Sequence, residues 1–172
     1  MAGGPSRMPI VRPMEVTIRR AAPADVQLVA RIWQRGWDDG HVGHVPPALL
    51  PYRQPEHFEE RTPQRIPTMW VAQSGGQVVG FVVIKDDEIE QLFVEREARG
   101  TGVAALLLHK GEEEIRRAGY PRAWLAVVSG KARARAFYAR CGWRDCGPFT
   151  YNAETTAGLF PVPSHRYEIE LS

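Results

Sequence analysis

The chain has 172 residues, of which 44% are hydrophobic and 24% charged, an ordinary composition for one folded domain. The formal net charge of +2 is too small to indicate nucleic-acid binding, and two cysteines, Cys141 and Cys146, are too few for a disulfide framework or a cysteine-rich zinc site. No apolar run reaches the roughly 18 residues of a membrane-spanning helix, and the N-terminus lacks the apolar stretch of a secretory signal. We therefore expect a cytoplasmic protein with no membrane partner, a flexible tail at residues 1–13 and a single domain over residues 14–172.

The first half of the chain alternates between strand and helix patterns. Residues 16–19 are β-rich and predict a first strand. An apolar stripe at spacings of three and four then predicts a helix, formed by Val26, Val29, Ala30, Trp33 and Trp37. Residues 41–67 are rich in Pro, His and Arg and predict a loop with one short helix near residues 56–61. Three strands are predicted to follow, at residues 69–73, 78–84 and 89–94.

The second half returns to helices separated by one strongly apolar strand. A helix is predicted from Val103 to near Gly119, and the nearly unbroken apolar run at residues 123–128 predicts a central strand covered on both faces. A second apolar stripe follows, formed by Ala134, Phe137, Tyr138 and Cys141. The chain after Trp143 is β-like with turns, and residues 166–171 predict a final strand. This order predicts an α/β protein with a mixed sheet and helices packed on it.

The most informative segment is Arg99-Gly100-Thr101-Gly102-Val103-Ala104-Ala105, between a predicted strand and a predicted helix. Its glycines let the backbone approach a ligand closely, and the free N–H groups of the helix start attract an anion such as a pyrophosphate. Arg99 adds a charged donor. The alternative is a tight turn that uses two permissive glycines and binds nothing.

The same turn also fits the dinucleotide-binding fingerprint, as Gly100-x-Gly102-x-x-Ala105. Five residues separate the preceding strand from Gly100, where that fingerprint needs a tight turn, and the next strand ends in Val127-Val128-Ser129 without an acidic residue for a ribose. A nucleotide-binding oxidoreductase is therefore the less favoured alternative.

Two segments resemble one known family. Arg99-x-x-Gly102-x-Ala104 resembles the coenzyme A turn of the GCN5-related N-acetyltransferase (GNAT) family, and Ala134-x-x-Phe137-Tyr138-x-x-x-Gly142-Trp143 is similar to its last helix and the aromatic strand that follows. Leu92-x-Val94 fits the family's fourth strand. The element order is similar over residues 16–171, and the motifs are specific over residues 89–143.

The resemblance implies the acyl-CoA N-acyltransferase fold: a mixed, mostly antiparallel sheet of about seven strands, with splayed fourth and fifth strands and about four flanking helices. It implies acetyl-coenzyme A (acetyl-CoA) as co-substrate, with the pantetheine between residues 89–94 and 123–128. The sequence departs from the family at Lys131, where Asn is frequent, and at Arg96, where Pro is frequent. The expected coenzyme contacts are Phe93, Val94, Arg99, Gly100, Thr101, Gly102, Val103, Ala104, Ala105, Lys131, Arg133, Ala134 and Phe137.

The chemistry implied by the resemblance is direct transfer of the acetyl group to a primary amine in a ternary complex. The family places the tyrosine at Tyr138 beside the coenzyme sulfur, so we expect it to be the general acid; otherwise it is a core tyrosine. Glu90 is the expected general base, on a strand face shared with Leu92 and Val94; otherwise it is a solvated carboxylate. The rival function is a non-catalytic sensor of acyl-CoA.

The acceptor side is expected at the first helix and the last strands. We expect Trp33, Trp37 and His41 to bind the acceptor, with core packing as the alternative for the tryptophans, and Tyr52, Arg53, Phe149 and Tyr151 are further candidates. His41-x-x-His44 lacks a third ligand at a known spacing, so no metal is predicted. A homodimer is implied only by the resemblance to the family. The arginines at residues 133–140 are expected on a solvated helix face or in contact with the coenzyme phosphates, rather than against nucleic acid.

Overall fold

The computed structural model describes residues 15–172, so the tail predicted at residues 1–13 lies outside the described residues. The strands are β1 Val16–Arg20, β2 Met69–Ser74, β3 Gln77–Lys85, β4 Glu88–Val94, β5 Arg122–Val128, β6 Arg144–Thr155 and β7 Gly158–Glu170. The helices are α1 Val26–His41, α2 Pro55–Arg65, α3 Val103–Arg117 and α4 Ala132–Arg140. Short 3-10 helices lie at Pro23–Asp25, Pro47–Tyr52, Ile66–Thr68 and Arg96–Ala98.

The strands form one sheet in the order β1-β2-β3-β4-β5-β7-β6. Every pairing is antiparallel except the central one between β4 and β5, which is parallel and consists of the single pair Glu88 and Trp124. Beyond that pair the two strands diverge. The predicted fold class, including the splayed fourth and fifth strands, is therefore confirmed.

The helices cover the two faces of the sheet. Helices α1 and α3 do so through apolar stripes, whereas α2 contributes mainly Phe58. On one face α1 and α2 bury Trp33, Phe58 and Phe81 in a first core. On the other face α3 buries Leu107 and Ile115 in a second core, against which α4 packs. Burial of large apolar side chains stabilises the fold by about 1.5 to 3 kcal/mol each.

A β-bulge interrupts β4 at Glu90. Gln91 pairs with Val83 while Ile89 pairs with Ile84, so Glu90 has no direct partner on β3. The extra residue changes the alternation of faces along the strand. Leu92 and Val94 accordingly pack with the second core, whereas Glu90 hydrogen-bonds Arg65 of α2 on the opposite side. The predicted shared face of Glu90 with Leu92 and Val94 is wrong for this reason.

The C-terminal region is a long antiparallel hairpin instead of short β segments broken by turns. The prolines of this hairpin occupy positions where a strand tolerates them. Pro148 lies on β6, at the sheet edge, and Pro161 and Pro163 lie on the part of β7 that extends beyond its pairing with β5. Helix α2 also extends beyond the predicted residues 56–61 at both ends, and Pro55 fits its first turn.

Gly36 fixes how closely α1 approaches β4. A Cβ atom at Gly36 would lie 2.4 Å from Cδ1 of Phe93, whereas a Cβ at Gly40 would meet only the end of the flexible Lys131 side chain. Gly36→Ala should lower the free energy of unfolding, since overpacking costs about 1 to 3 kcal/mol and the better helix propensity of Ala returns about 1 kcal/mol at most. Urea unfolding measures this difference.

Gly40→Ala is the matched control on the same helix, and it should leave stability unchanged or raise it. Equal stability of the two variants would show that the Phe93 ring does not restrain the helix.

Candidate functional site

A central cavity of about 470 Å³ opens where β4 and β5 diverge. Its walls are formed by α1, the Pro47–Tyr52 helix, α2, and the hairpin of β6 and β7. Among the residues lining it are His41, Phe93, Lys131, Tyr138 and Glu88. The cavity therefore joins side chains of the predicted coenzyme, catalytic and acceptor sites.

The glycine turn before α3 presents unpaired backbone donors. Gly100 and Gly102 have φ angles of +75° and +90°, which favour glycine, and a Cβ atom on either would meet no protein atom within 4 Å. The structure records no protein acceptor for the backbone N–H groups at residues 100–105 among the residues it describes. Six consecutive N–H groups at a helix start form a concave anion site.

Charged groups surround this turn. Arg96 and Arg99 donate to Asp39 of α1, at 2.9 and 3.1 Å, and these bonds, with burial opposing them, hold the pKa of Asp39 below its usual range. The pairs are largely exposed, so they contribute little to stability, but they place two guanidinium groups beside the glycine turn.

The other predicted coenzyme residues divide into two groups. Phe93 and Lys131 line the cavity, with the Lys131 Nζ atom 5.9 Å from the centre of the Phe93 ring. Burial, assisted by the charge of Arg99, lowers the pKa of Lys131 to about 8. Arg133 is exposed on α4, and Ala134 and Phe137 pack against the second core outside the cavity lining, so their coenzyme contacts stay predictions.

Trp33 and Trp37 are both core residues and cavity walls, at 0% and 5% exposure. His41 stacks on Trp37 with ring centres 4.9 Å apart, and its Nδ1 lies 3.2 Å from the Trp37 carbonyl oxygen. A carbonyl only accepts, so the proton lies on Nδ1 and Nε2 keeps its lone pair. Burial, with the nearby charge of Lys131, lowers the pKa of His41 well below 6.5, so the ring is neutral at pH 7.

Tyr138 reaches the cavity from α4. Its ring packs against Phe137, Trp143 and Tyr167, at centre distances of 5.2 to 6.3 Å. Burial raises the pKa of Tyr138, so the phenol stays protonated and remains a donor throughout the neutral range. Tyr138 therefore both packs among aromatic side chains and lines the cavity.

The two carboxylates of β4 differ in their surroundings. Glu90 accepts a hydrogen bond from Arg65 Nε at 2.8 Å, and Arg65 Nη2 lies 2.8 Å from the same carboxylate in a largely buried ion pair. Glu88 accepts a bond from the Tyr151 hydroxyl at 2.8 Å and is 7% exposed. Burial raises the pKa of Glu88 to about 7, with the Tyr151 bond opposing the shift. Glu88 therefore changes charge in the physiological range.

Comparison with known proteins gives the family. The profile of the acetyltransferase (GNAT) family matches residues 29–143. The chain belongs to the GNAT family. The resemblance to this family, seen in the sequence of the glycine turn and the last helix, is therefore confirmed.

Individual relatives and solved structures agree with this. An IAA acetyltransferase of Azospirillum brasilense is 31% identical over 78% of this chain and 88% of its own length. An uncharacterized N-acetyltransferase of Mycobacterium bovis is 33% identical, but the match spans only 46% of this chain and 54% of that relative. A GCN5-related N-acetyltransferase structure from Rhodopseudomonas palustris superposes with a TM-score of 0.71 at 18% identity, covering 96% of this chain and all of that one.

A further solved neighbour is the Salmonella typhimurium YncA protein with acetyl-CoA, with a TM-score of 0.65 at 18% identity over 92% of this chain and 95% of that one.

No helix within the described part of the GNAT chain is long and apolar enough to cross a bilayer. Across residues 15–172, no three His, Cys, Asp or Glu side chains are grouped to hold a metal ion.

Sequence reasoning missed several side chains in the cavity of this GNAT protein. Glu88 looked like part of an acidic turn, and the α2 segment was predicted only as a short helix at residues 56–61 within a loop. The residues that were missed are Arg61, Arg65, Glu88 and Trp124. A helix pattern was too weak in the Pro-rich and Arg-rich segment to show which side chains face inward.

The ionisation of Glu88 predicts how stability depends on pH. The unfolded chain loses the Glu88 proton near pH 4.5, while the folded protein keeps it until about pH 7. The folded state thus binds more protons in this window, so stability falls as pH rises through it, by about 3 kcal/mol. Glu88→Gln has no carboxyl proton to lose. Between pH 4.5 and 8, its unfolding free energy minus that of the parent should therefore increase by about 3 kcal/mol, measured by urea unfolding.

A difference between the parent and Glu88→Gln that stayed constant over this pH range would contradict a buried carboxyl that is neutral below pH 7. The pH dependence, rather than the absolute difference, isolates the titration from any change in packing.

Proposed function

We propose that this GNAT protein transfers the acetyl group of acetyl-CoA to a primary amine by direct attack in a ternary complex. The observation that carries the proposal is the run of six unpaired backbone N–H groups at residues 100–105, beside the gap between β4 and β5. Such a run binds a diphosphate, and the adjacent gap leaves strand backbone open to an amide-containing chain. Coenzyme A carries both groups.

The residues fit this co-substrate at three places. The turn around Gly102 would hold the diphosphate through backbone N–H groups, with Arg99 close by. The gap beside Phe93 would take the pantetheine, and Lys131 lies across that ring. When bound, acetyl-CoA supplies an activated acyl group as a thioester. Solved relatives in the same fold include a complex with acetyl-CoA, which supports the proposal.

Attack requires a neutral amine, because an ammonium has no lone pair. A lysine-like amine is neutral in about one molecule in several thousand at pH 7, so a base that accepts its proton is needed. We propose Glu88 for this role in preference to Glu90. Glu88 titrates near pH 7 at the closed end of the gap, whereas Glu90 is held in a hydrogen-bonded ion pair with Arg65. Proton transfer runs directly or through one water.

Tyr138 is proposed to protonate the departing thiolate. Its raised pKa keeps the proton on the phenol oxygen until a strong base appears beside it. The ammonium proton passes through Glu88 to solvent, which leaves a neutral amine. The nitrogen–carbon bond then forms as the carbon–sulfur bond breaks, a second nitrogen proton passes to Glu88, and the sulfur receives the Tyr138 proton. Proton exchange through solvent restores the Glu88 carboxylate and the Tyr138 phenol. The products are the acetylated amine and the free thiol.

Direct transfer is preferred to an acyl-enzyme because of where the cysteines lie. Cys141 ends α4 with its pKa raised by burial, and Cys146 is exposed on β6. Neither lines the central cavity. The names of the relatives, which include N-acetyltransferases and an IAA acetyltransferase, favour an enzyme over a non-catalytic acyl-CoA sensor.

Coenzyme binding is tested at the glycine turn. Gly102→Ala places a Cβ at φ +90°, which costs about 1 to 2 kcal/mol and tilts the unpaired N–H groups. We expect the affinity for acetyl-CoA, measured by calorimetry, to fall at least about 10-fold, which corresponds to the loss of one charge-assisted hydrogen bond.

Gly119→Ala is the matched control, because Gly119 has φ +98° just after the same helix and also faces open space. It should lose similar stability and keep the affinity of the parent. Equal loss of affinity in both variants, or tight binding of NAD in place of acetyl-CoA, would overturn the assignment.

The two proton-transfer roles are tested by release of free thiol. Tyr138→Phe should lower kcat by about 10² to 10⁴ while affinity for acetyl-CoA is unchanged, because only the acid is lost. In the parent, kcat/KM should rise with pH through about 7, as Glu88 becomes deprotonated, and Glu88→Gln should remove that rise.

Tyr167→Phe is the control for the phenol, since the Tyr167 hydroxyl contacts Arg135 and Asp145 outside the cavity lining. Glu90→Gln is the control for the carboxylate. An unchanged kcat in Tyr138→Phe would remove Tyr138 from the mechanism, and loss of the pH-dependent rise only in Glu90→Gln would return the base to Glu90.

A further inference from the structure

Three guanidinium groups line one wall of the central cavity, from Arg53, Arg61 and Arg65. Two of them are satisfied by the protein. Arg65 is paired with Glu90 at 2.8 Å and lies 3.6 Å from Glu154. Arg53 donates to the carbonyl oxygens of Tyr52 and Glu154, at 2.9 and 2.8 Å. These two arginines are therefore part of the wall.

Arg61 is different. Its guanidinium stacks over Trp33, with the central carbon 4.5 Å from the ring centre. Among residues 15–172 the structure records neither an ion pair nor a hydrogen bond from its side chain, although burial and the neighbouring guanidinium groups lower its pKa to about 9. A guanidinium carries five N–H donors, and a buried charge without a partner is costly.

The free donors of Arg61 remain reachable. Within the described residues, the buried side-chain nitrogen or oxygen that is sealed from solvent without a partner is Trp33 Nε1, and no Arg61 nitrogen is in that state. Since Arg61 lines the central cavity, its donors are accessible to a ligand there.

The cavity as a whole carries excess positive charge. Its lining holds the cations Arg53, Arg61, Arg65, Lys85 and Lys131. The carboxylates in the lining are fewer, namely Glu88, Glu90 and Glu154. An acceptor whose only charge is an ammonium group would be repelled by this positive charge, whereas an acceptor that also carries a negative group would help to balance it.

We propose that the amine acceptor carries a carboxylate, which Arg61 binds in the wall of the cavity, so that the substrate class is amino acids. The inference rests on the proposed function. A planar guanidinium and a carboxylate form two parallel hydrogen bonds, which fixes both position and orientation. The amine is then left to face Glu88 and Tyr138.

A carboxylate fits better than a phosphate. Glu90 and Glu154 lie close enough to Arg61 to act on its charge, and they repel a dianion more strongly than a monoanion. One unpaired guanidinium also balances one negative charge. A phosphorylated amine is therefore an outcome that would count against the proposal.

The test compares acceptors that differ only in the carboxylate. Thiol release from acetyl-CoA is measured with the standard amino acids and with their α-carboxamides. The amine of a carboxamide is less basic, which favours the amide chemically, so a preference for the acid reports recognition of the carboxylate. We expect at least one amino acid to exceed its amide about 100-fold in kcat/KM, as for one strong charge-assisted contact.

Arg61→Gln should raise KM for that amino acid about 100-fold, leave kcat within a few-fold and leave its amide unchanged, while Arg61→Lys should recover part of the loss. Arg116→Gln, on the exposed last turn of α3, is the matched control and should behave as the parent. Melting curves of all variants show which are folded.

Binding is measured separately, by calorimetry of N-acetyl amino acids and N-acetyl amino amides with the coenzyme-free protein. The acids should bind at least about 10-fold more tightly, and Arg61→Gln should remove the difference. Equal binding of acids and amides, preference for amides or phosphorylated amines, or a preference that survives in Arg61→Gln would overturn the proposal. Absence of thiol release with every amine would refute the proposed function, and the binding measurement would still decide the carboxylate question.

Discussion

The parting of β4 and β5 after one residue pair is the constraint on which the rest of the structure depends. Two neighbouring strands that diverge leave facing rows of backbone N–H and C=O groups without partners, a costly arrangement inside a protein. Here β3 and β7 secure the far edges of the two strands, and the bulge at Glu90 bends β4 away. The opening is therefore maintained by its neighbours, and its unpaired groups are available to a bound chain.

Four ionisable groups that line this cavity are shifted toward their neutral forms. Burial raises the pKa of Glu88 and Tyr138 and lowers that of His41 and Lys131. The common cause is the low dielectric of the site, which disfavours a charge of either sign. The proposed acyl transfer uses Glu88 as a base that titrates near neutrality and Tyr138 as a phenol that keeps its proton. One physical effect would thus prepare both groups.

Most of the framework could be predicted because local pattern and final environment agree. The apolar stripes of α1 and α3, the apolar run of β5 and the glycine turn at Gly102 each favour one type of local structure, and the fold contains that structure. The bulge at Glu90 could not be predicted, because one extra residue leaves no mark on composition while it reverses the facing of its neighbours. Arg61 was missed for a related reason: the segment around α2 is too polar for periodicity to show which side faces a cavity.

The β6 and β7 hairpin extends past the end of β5 and closes one side of the cavity with Tyr151 and Leu159, the side proposed for the acceptor, while the turn before α3 that is proposed to bind the coenzyme lies on a separate element. The two proposed ligand sites thus lie on parts of the chain that can change independently. Substitutions along the hairpin can alter which amine is admitted and leave the diphosphate turn intact. A fold divided in this way can diversify its choice of acceptor through evolution while a single acyl donor is retained.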